Sequence, residues 1–460
     1  MEPTTNKTDR IGTERIGKLL LDFSIPAIIG MLVNAIYNIV DRIYVGQGVD
    51  PLGIAGITIV MPVMMVLMAM SILIGIGANS LFSIRLGEGR RDEVEKIMGH
   101  AFFLLFLVPG IAIVVCLIFL DDIIIHILGA SENIFPYAKT YLQIILYGGV
   151  FSAMGPGINH FIRSDGHPRT SMVTQLIGAV INIILDPILI FGFKMGIAGA
   201  AWATIISQFI SFVWVLGYFN SRFTTLRFRI QDMKLELGLT LKIMAIGFAP
   251  FAMQLAMGLV GVLQNHALNT YGGDTAVTSM GIVFSILIVI FMPLQGINQG
   301  AQPIIGYNYG AKKYQRVKKT YKWAVIAGTI FISAGFLLIH LFPHFFISVF
   351  RNEEGPLMDM GVYCLRVSSA MFPIVAFQMF SSSYFQAIGK PVQSTILSLS
   401  RQILMYIPLL LLLPRRFGLH GVFFAMPASD ILSAALTLIV MLIEFKRLKK
   451  LIAEGEVRRR

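Results

Sequence analysis

Charge is scarce along this chain. Asp, Glu, Lys and Arg make up 13% of its 460 residues against 56% hydrophobic residues, and the mean hydropathy is +0.75. A soluble globular domain carries about 25% charged residues, so the shortage excludes a water-solvated surface over most of the molecule and calls for lipid. Cysteine is nearly missing as well. Cys116 and Cys364 both fall in apolar segments without metal-ligand spacing, which argues against a disulfide framework or a thiolate metal site. Catalytic signatures are absent: there is no His-Glu-X-X-His, no nucleophile elbow and no paired Gly-Asp protease motif, and the 8 histidines are scattered. A channel filter or ring of charges is equally missing. No stretch reads as a cleavable signal, because the N-terminus is polar to Gly17 and the apolar run that follows is too long. These absences leave a multi-pass, all-α membrane protein that is not an enzyme and needs no cofactor.

Roughly 20 apolar residues cross a bilayer core. On that scale twelve segments appear, near 18–44, 52–84, 93–119, 133–161, 168–191, 196–219, 239–268, 275–306, 319–342, 356–385, 391–413 and 419–446. Pro and Gly fall inside many of them, which membrane helices tolerate because neighbours satisfy the freed carbonyls. The net charge of +12 is concentrated in alternate connections: Arg85 to Lys96, Arg163 and Arg169, Arg222 to Lys242, Lys312 to Lys322, Lys390, and Lys446 to Arg460. The connections between them carry Asp50, Asp121, Asp122, Glu132, Asp274, Glu353 and Glu354, with Lys139, Lys194, Arg351, Arg415 and Arg416 as basic exceptions. Basic residues stay on the cytoplasmic side, so both termini are expected in the cytoplasm. The basic excess is then a topology signal that requires no nucleic acid.

The two halves repeat. Gly166-His167-Pro168 recurs as Gly389-Lys390-Pro391, 389 − 166 = 223 residues later. Gly87, a basic stretch and Val94 recur as Gly310, Lys312, Lys313 and Val317. Pro26 answers Pro250, and Gly196-Ile197-Ala198-Gly199 answers Gly418-Leu419-His420-Gly421. Six helices per copy make a parallel repeat. The expected organisation is a cytoplasmic segment 1–17, an N-lobe 18–220, a linker 221–239, a C-lobe 240–446 and a basic tail 447–460, with a central cleft between two six-helix lobes.

The first and fifth apolar segments of the first copy carry acids that the matching segments of the second copy lack, and ionisable groups there are expensive and usually functional. Asp41 and Asp186 stand where the second copy offers Asn265 and Ile407 or Pro408. Tyr37 and Asp41 are four apart on the first helix, with Asn34 and Asn38 on the same broad face. Asn182 and Asp186 are four apart on the fifth, and Pro187 deprives the carbonyl of Ile183 of its helical donor. Thr204 lies about 12 Å into the sixth helix, at a matching depth. Two carboxylates in low dielectric cannot both carry charge cheaply without a cation. A proton or a sodium ion is therefore expected as the third member, sodium being held by Asp41, Asn182, Asp186 and Thr204. The plainer alternative pairs Asp41 with Arg42 and makes Asp186 a helix cap.

These residues bring the chain to a known family. Pro26 with Tyr37 and Asp41, Asn159 with Phe161-Ile162-Arg163-Ser164-Asp165-Gly166-His167-Pro168, and Asn182 with Asp186-Pro187 resemble the MATE (multidrug and toxic compound extrusion) exporters over the whole chain. The pattern looks most like the branch with N-lobe coupling acids, MepA-like exporters among them. The resemblance implies efflux of small amphipathic, mostly cationic drugs from the cytoplasm across the plasma (inner) membrane, by a monomer driven by protons or sodium. It also implies a coupling network at Tyr37, Asp41, Asn182, Asp186 and Thr204, with Asn159 in the motif region. The sodium-coupled branch has acids in the C-lobe. Here the seventh helix offers Gln254, Gln264, Asn265 and His266 and the tenth Ser381, Ser382 and Ser383, with no carboxylate near them. The wider superfamily includes lipid-linked oligosaccharide flippases, which should line their cleft with cations for pyrophosphate. The N-lobe has no such cluster, which makes the flippase the alternative.

Three further groups carry readings. Arg401 and Asp430 both fall near mid-membrane on neighbouring antiparallel helices, so a structural ion pair is expected ahead of substrate contact. Arg366 has no evident partner, and His266 reads as a helix-end histidine ahead of a coupling group. The 24 methionines suit an adaptable wall. Met31, Asn34, Met61, Met65, Gln254, Met257, Met280 and Met292 are the cleft candidates.

Overall fold

A computed structural model describes residues 9–49, 51–221, 224, 226–350 and 355–457 of the chain. The expected topology markers Asp50, Arg222, Arg351, Glu353, Glu354 and Arg458 to Arg460 lie outside the described residues.

Helix dominates because a buried backbone in lipid must satisfy itself, and no strand occurs among the described residues. The spans run Ile16–Gly48, Pro51–Gly87, Arg91–Ile118, Phe135–Ser164, Pro168–Gly192 and Ile197–Phe219 in the first copy. In the second copy they run 237–272, 274–310, Tyr314–Leu341, Pro356–Ala387, 391–417 and 419–457. The breaks at Gly273 and Gly418 sit at φ 63° and 55°, left-handed values that glycine adopts without penalty. With those breaks counted, twelve passes result, as expected. Proline opens several helices, Pro168, Pro356 and Pro391 among them, where its missing N–H costs nothing. The tenth span differs from the single segment expected: Pro356–Ser369 and Phe372–Ala387 meet at 48°. Pro373 withholds the amide that the carbonyl of Ser369 would need, which ends the regular ladder there.

The chain forms two compact units, residues 1–13 with 29–251, and residues 14–28 with 252–460. In the first unit the fourth span packs against the second, third, fifth and sixth. A β-carbon on Gly75 would stand 2.8 Å from the Cα of Gly157, and Ser71 Oγ donates 2.6 Å to the carbonyl of Ala153. Small residues thus bring these backbones together, the usual substitute for hydrophobic drive in lipid. Val60, Ile113, Leu142, Leu146, Ala201 and Ile205 fill the space around them. In the second unit, Phe372–Ala387 packs against the ninth, eleventh and twelfth spans. Large apolar side chains such as Phe106, Ile118, Val262 and Ile330 face outward, as lipid contact requires.

Each unit is completed by the start of the other copy's first helix. Residues 16–28 of the first span belong to the second unit, where Ser24 and Ile28 abut Gly300 and Gly296. Residues 237–251 of the seventh span belong to the first unit, where Gly247 abuts the carbonyl of Leu73 and Gly77 that of Ile243. Pro26 and Pro250 fall just before the points where packing passes from one unit to the other.

The repeat extends to single hydrogen bonds. The amides of Asp165, Gly166 and His167 bond the carbonyls of Phe161, Arg163 and Ile162. Those of Ile388, Gly389 and Lys390 bond Tyr384, Gln386 and Phe385 in the same pattern. At the end of the second span, Gly89 takes φ 76°; its counterpart at the end of the eighth is Lys312, at φ 57°. A β-carbon in that region costs roughly 1–2 kcal/mol, and Lys312 is exposed, so no packing offsets it. Lys312→Gly should therefore raise thermal stability in detergent by about 1 kcal/mol, and Gly89→Lys should lower it similarly. Equal melting temperatures for Lys312→Gly and the parent would refute the strain at this turn.

Candidate functional site

The first and fifth spans run side by side in the same sense. Gly30 lies against Gln175, and Gly48 against Ile190 and Phe191; the rings of Tyr44 and Phe191 meet edge-on at 6.3 Å. That register sets Asp41 opposite the turn that carries Asp186. The two carboxyl groups stand within hydrogen-bonding range of each other. Asp186 is fully buried, and Asp41 is half-buried. Arg42 stands within electrostatic reach of Asp41 with no close ion pair among the described residues, and Asp186 is the last residue but one of the α-helix before its π-helical turn.

The remaining groups assemble around this pair. Asn182 Nδ2 lies 3.5 Å from Asp186 Oδ1, a long contact one turn away on the same helix. Tyr37 is within electrostatic reach of both acids. The fifth and sixth spans meet through Gly178 with Ser211 and Gly199 with Leu189. This antiparallel register puts Thr204 level with the turn between Asn182 and Asp186. Thr204 Oγ1 donates 3.0 Å to the carbonyl of Ala200, so its lone pairs remain for a cation. After Pro187 the fifth span continues as a π-helix, Ile188–Gly192, the local rewinding that often marks functional sites.

The decisive feature is an imbalance of acceptors. Asp186 Oδ2 and Asn182 Oδ1 are buried with no hydrogen-bond donor. Orphaned buried acceptors cost about 1–3 kcal/mol each, and here they adjoin two carboxyl groups. A proton or small cation placed here would satisfy them.

Tyr141, on the fourth span, is a member that sequence reasoning missed. It is buried and within reach of Asp41, Tyr37 and Asp186, yet no local spacing in its own helix links it to them. Asn159 does not join the pair. It lies 18 residues further along the same helix, about 27 Å at 1.5 Å per residue, and its Nδ2 donates 3.1 Å to the carbonyl of Ser171. Nearby, Arg163 and Asp165 are both buried, although the sequence suggested open connections. Tyr218 hydroxyl donates 2.7 Å to Asp165 Oδ2 and lies 2.7 Å from His167 Nδ1, closing that end of the unit.

In the second unit the serines of the tenth span are occupied. Ser381 bonds Tyr321, Ser382 bonds the carbonyl of Ser394, and Ser383 accepts from Asn298. Among the described residues no group of three or more His, Cys, Asp or Glu side chains could hold a metal. Asn265 and His266 are exposed, while Gln264 is buried. The 223-residue offset thus pairs Asp41 with Gln264; Asn265, one residue on, points about 100° away on the helix. Of the cleft candidates, Asn34, Met65 and Met257 are exposed and Met31, Met61, Gln254 and Met292 half-buried. Met280 is interior, accepting from Cys364 Sγ at 3.6 Å.

Arg401 Nε donates to Asp430 Oδ1 at 2.7 Å, the pair expected from depth. Removing one partner of a buried pair costs about 3–5 kcal/mol. Asp430→Leu should therefore lower thermal stability by that order, and Arg401→Met with Asp430→Leu should recover most of it. A double variant no more stable than the single would rule out coupling between the two.

Known proteins resemble this chain in sequence and in fold. The MatE family model matches residues 26–188 and 237–412. A protein of Staphylococcus haemolyticus called "Multidrug export protein MepA" is 29% identical over 427 residues, covering 93% of each chain. Its Staphylococcus saprophyticus counterpart is 27% identical over 425 residues, 92% of this chain and 93% of its own. Among solved structures, the MATE multidrug transporter DinF-BH superposes with a TM-score of 0.86 at 37% identity, over 94% of this chain and 96% of that one. An outward-facing "multidrug resistance MATE family transporter of the MOP superfamily" reaches 0.89 at 24% identity, over 98% of this chain and 100% of that one, a likeness of fold.

Proposed function

The chain belongs to the MatE family of multidrug efflux transporters, and from that membership we propose that it exports amphipathic organic cations in exchange for protons. It is a transporter and not an enzyme. The proposed setting is the plasma (inner) membrane, with both termini in the cytoplasm and the protein working as a monomer.

The observation that carries the exchange is the Asp41–Asp186 pair with its orphaned oxygens. Carboxyls at hydrogen-bonding range need one shared proton, and no ion pair among the described residues neutralises them. Sodium is the competing ion, since Asp41, Asn182, Asp186 and Thr204 could offer it oxygen ligands. Coupling requires that ion and drug favour different states. The first span offers the mechanical link: its start packs in one unit, and Tyr37 and Asp41 lie in the other, with Pro26 just before the change. A bend at Pro26, where the carbonyl of Asp22 loses its helical donor, would let charge at Asp41 alter the packing of both units. Relatives called multidrug export proteins support drugs as cargo.

Cells expressing the protein should accumulate less ethidium, and a protonophore should abolish the difference. Asp41→Asn should reduce efflux to the vector level while the protein still inserts; normal efflux by that variant would remove the coupling assignment. Replacing sodium by potassium at fixed pH should leave efflux unchanged, whereas its loss would assign the site to sodium. Pro26→Ala should slow efflux several-fold with ethidium binding retained. Unaltered rates would show that the bend is dispensable.

A further inference from the structure

The second unit carries a groove of about 210 Å³ that the exchange mechanism leaves unused. It lies between the ninth, tenth and twelfth spans, walled by Val325, Ile326, Phe377, Phe445 and the stems of Lys318 and Lys322. Tyr321 adds a buried ring, edge-on to Phe445 at 5.7 Å, with its hydroxyl engaged by Ser381. Water finds few partners on such walls. Lys318 and Lys322 are exposed one turn apart, about 6 and 12 Å past the start of the ninth span at 1.5 Å per residue. Neither forms an ion pair among the described residues. Glu444, beside Phe445 in the chain, is engaged by Lys390 and Arg447. Trp323 is 46% exposed next to Lys322, an aromatic of the kind that anchors at a membrane interface.

In the first copy the same face is occupied. The 223-residue offset of the repeat pairs Lys318, Lys322 and Val325 with Glu95, Gly99 and Phe102, and all three of those meet the linker. Glu95 accepts 2.9 Å from the amide of Arg227 and pairs with Arg229 at 3.4 Å. A β-carbon on Gly99 would stand 2.8 Å from Cβ of Asp232, and the rings of Phe102 and Phe228 meet at 4.4 Å. In the second copy this face is a groove, and a lysine stands where the acid holds the linker's basic chain. The residues after Phe445 include Lys446, Arg447, Lys449 and Lys450, which two lysines repel. What fits is an anion with a hydrocarbon body.

We propose that the groove holds an anionic phospholipid, its phosphate at Lys318 and Lys322 and an acyl chain along Val325, Ile326 and Phe377. Basic pockets between spans suit such headgroups on the cytoplasmic side, and placing the lipid in that leaflet rests on the proposed orientation of the termini. The lipid takes on the ninth span the place that the linker takes on the third.

Phosphatidylglycerol and phosphatidylcholine of identical acyl chains, mixed in equal amounts with the delipidated full-length protein in detergent, can be counted as adducts by native mass spectrometry. One phosphatidylglycerol should be retained in preference to phosphatidylcholine. Lys318→Gln and Lys322→Gln alter exposed side chains, so both should fold, and each should weaken that adduct about fivefold, the scale of one lysine at an anionic headgroup. Ile326→Trp, which fills the groove with both charges kept, should abolish the preference. Lys449→Gln with Lys450→Gln should leave it within about twofold. Equal retention of the two lipids, an equal loss in the Lys449 and Lys450 variant, or full binding by Ile326→Trp would overturn the site. Displacement by glycerol 3-phosphate at the same concentration would assign the lysines to a soluble phosphate ester and overturn it as well. Detergent has no sides and no gradient, so an inverted topology or a failure to pump ethidium would count against the proposed function without deciding this inference.

Discussion

Everything distinctive about the first unit follows from two carboxyl groups held within hydrogen-bonding range inside an apolar helix bundle. Two unit charges about 4 Å apart repel by about 4 kcal/mol at an effective dielectric of 20. A proton falling through 100 mV of membrane potential releases about 2.3 kcal/mol. The repulsion is thus larger than the energy available from one such passage, so the pair cannot simply be emptied and left charged. On the proposed reading, one cation leaves readily only when another takes its place. That is the physical requirement of exchange, and Asp186 Oδ2 and Asn182 Oδ1, both without donors, mark where the replacement is felt.

Such a site works only if its charge can be felt elsewhere, and the frame provides for that. Glycine contacts lock the fourth span to the second through Gly75 and Gly157, so the first unit resists deformation within itself. The first span is different. Its start is seated against Gly296 and Gly300, and its later turns against Gln175 and Ile190. One helix therefore belongs to two packing environments, and the change falls just after Pro26. The seventh span repeats the arrangement at Pro250 without an acid beyond it. Duplication built two such straddling helices, and one of them carries Asp41.

Much of this was legible in the chain itself, for physical reasons. Acids inside apolar runs announce themselves, because little else in a membrane justifies their cost; hence Asp41 and Asp186, and the Arg401–Asp430 pair from depth alone. Gly166 and Gly389 betray the repeat because a left-handed turn tolerates few other residues, although Lys312 shows that a lysine can stand in where Gly89 stood. The unread features depend on contacts between helices distant in sequence. Tyr141 is near the acids only because the fourth span passes beside the first and fifth. Arg163 and Asp165 look like loop charges until Ser171, His167 and Tyr218 fold over them. The π-helical turns at Ile188 and Ser400 leave no signature beyond Pro187 in the one case, and none in the other. The choice of Asn265 over Gln264 failed by a single residue, which on a helix is the difference between outside and inside.

That single residue alters how the asymmetry of the repeat is understood. With Asn265 as the counterpart of Asp41, the second copy looks like a degraded version of the first. With Gln264 it does not. Gln264 lines a cavity with Arg401 and Tyr406 from the eleventh span, the helix that repeats the fifth, where Asp186 lies. The same two helices of each copy thus bury polar groups, carboxyls in the first and an amide and a phenol in the second. Keeping Arg401 there is costly, since a buried ion pair is rarely more stable than the apolar residues that could replace it.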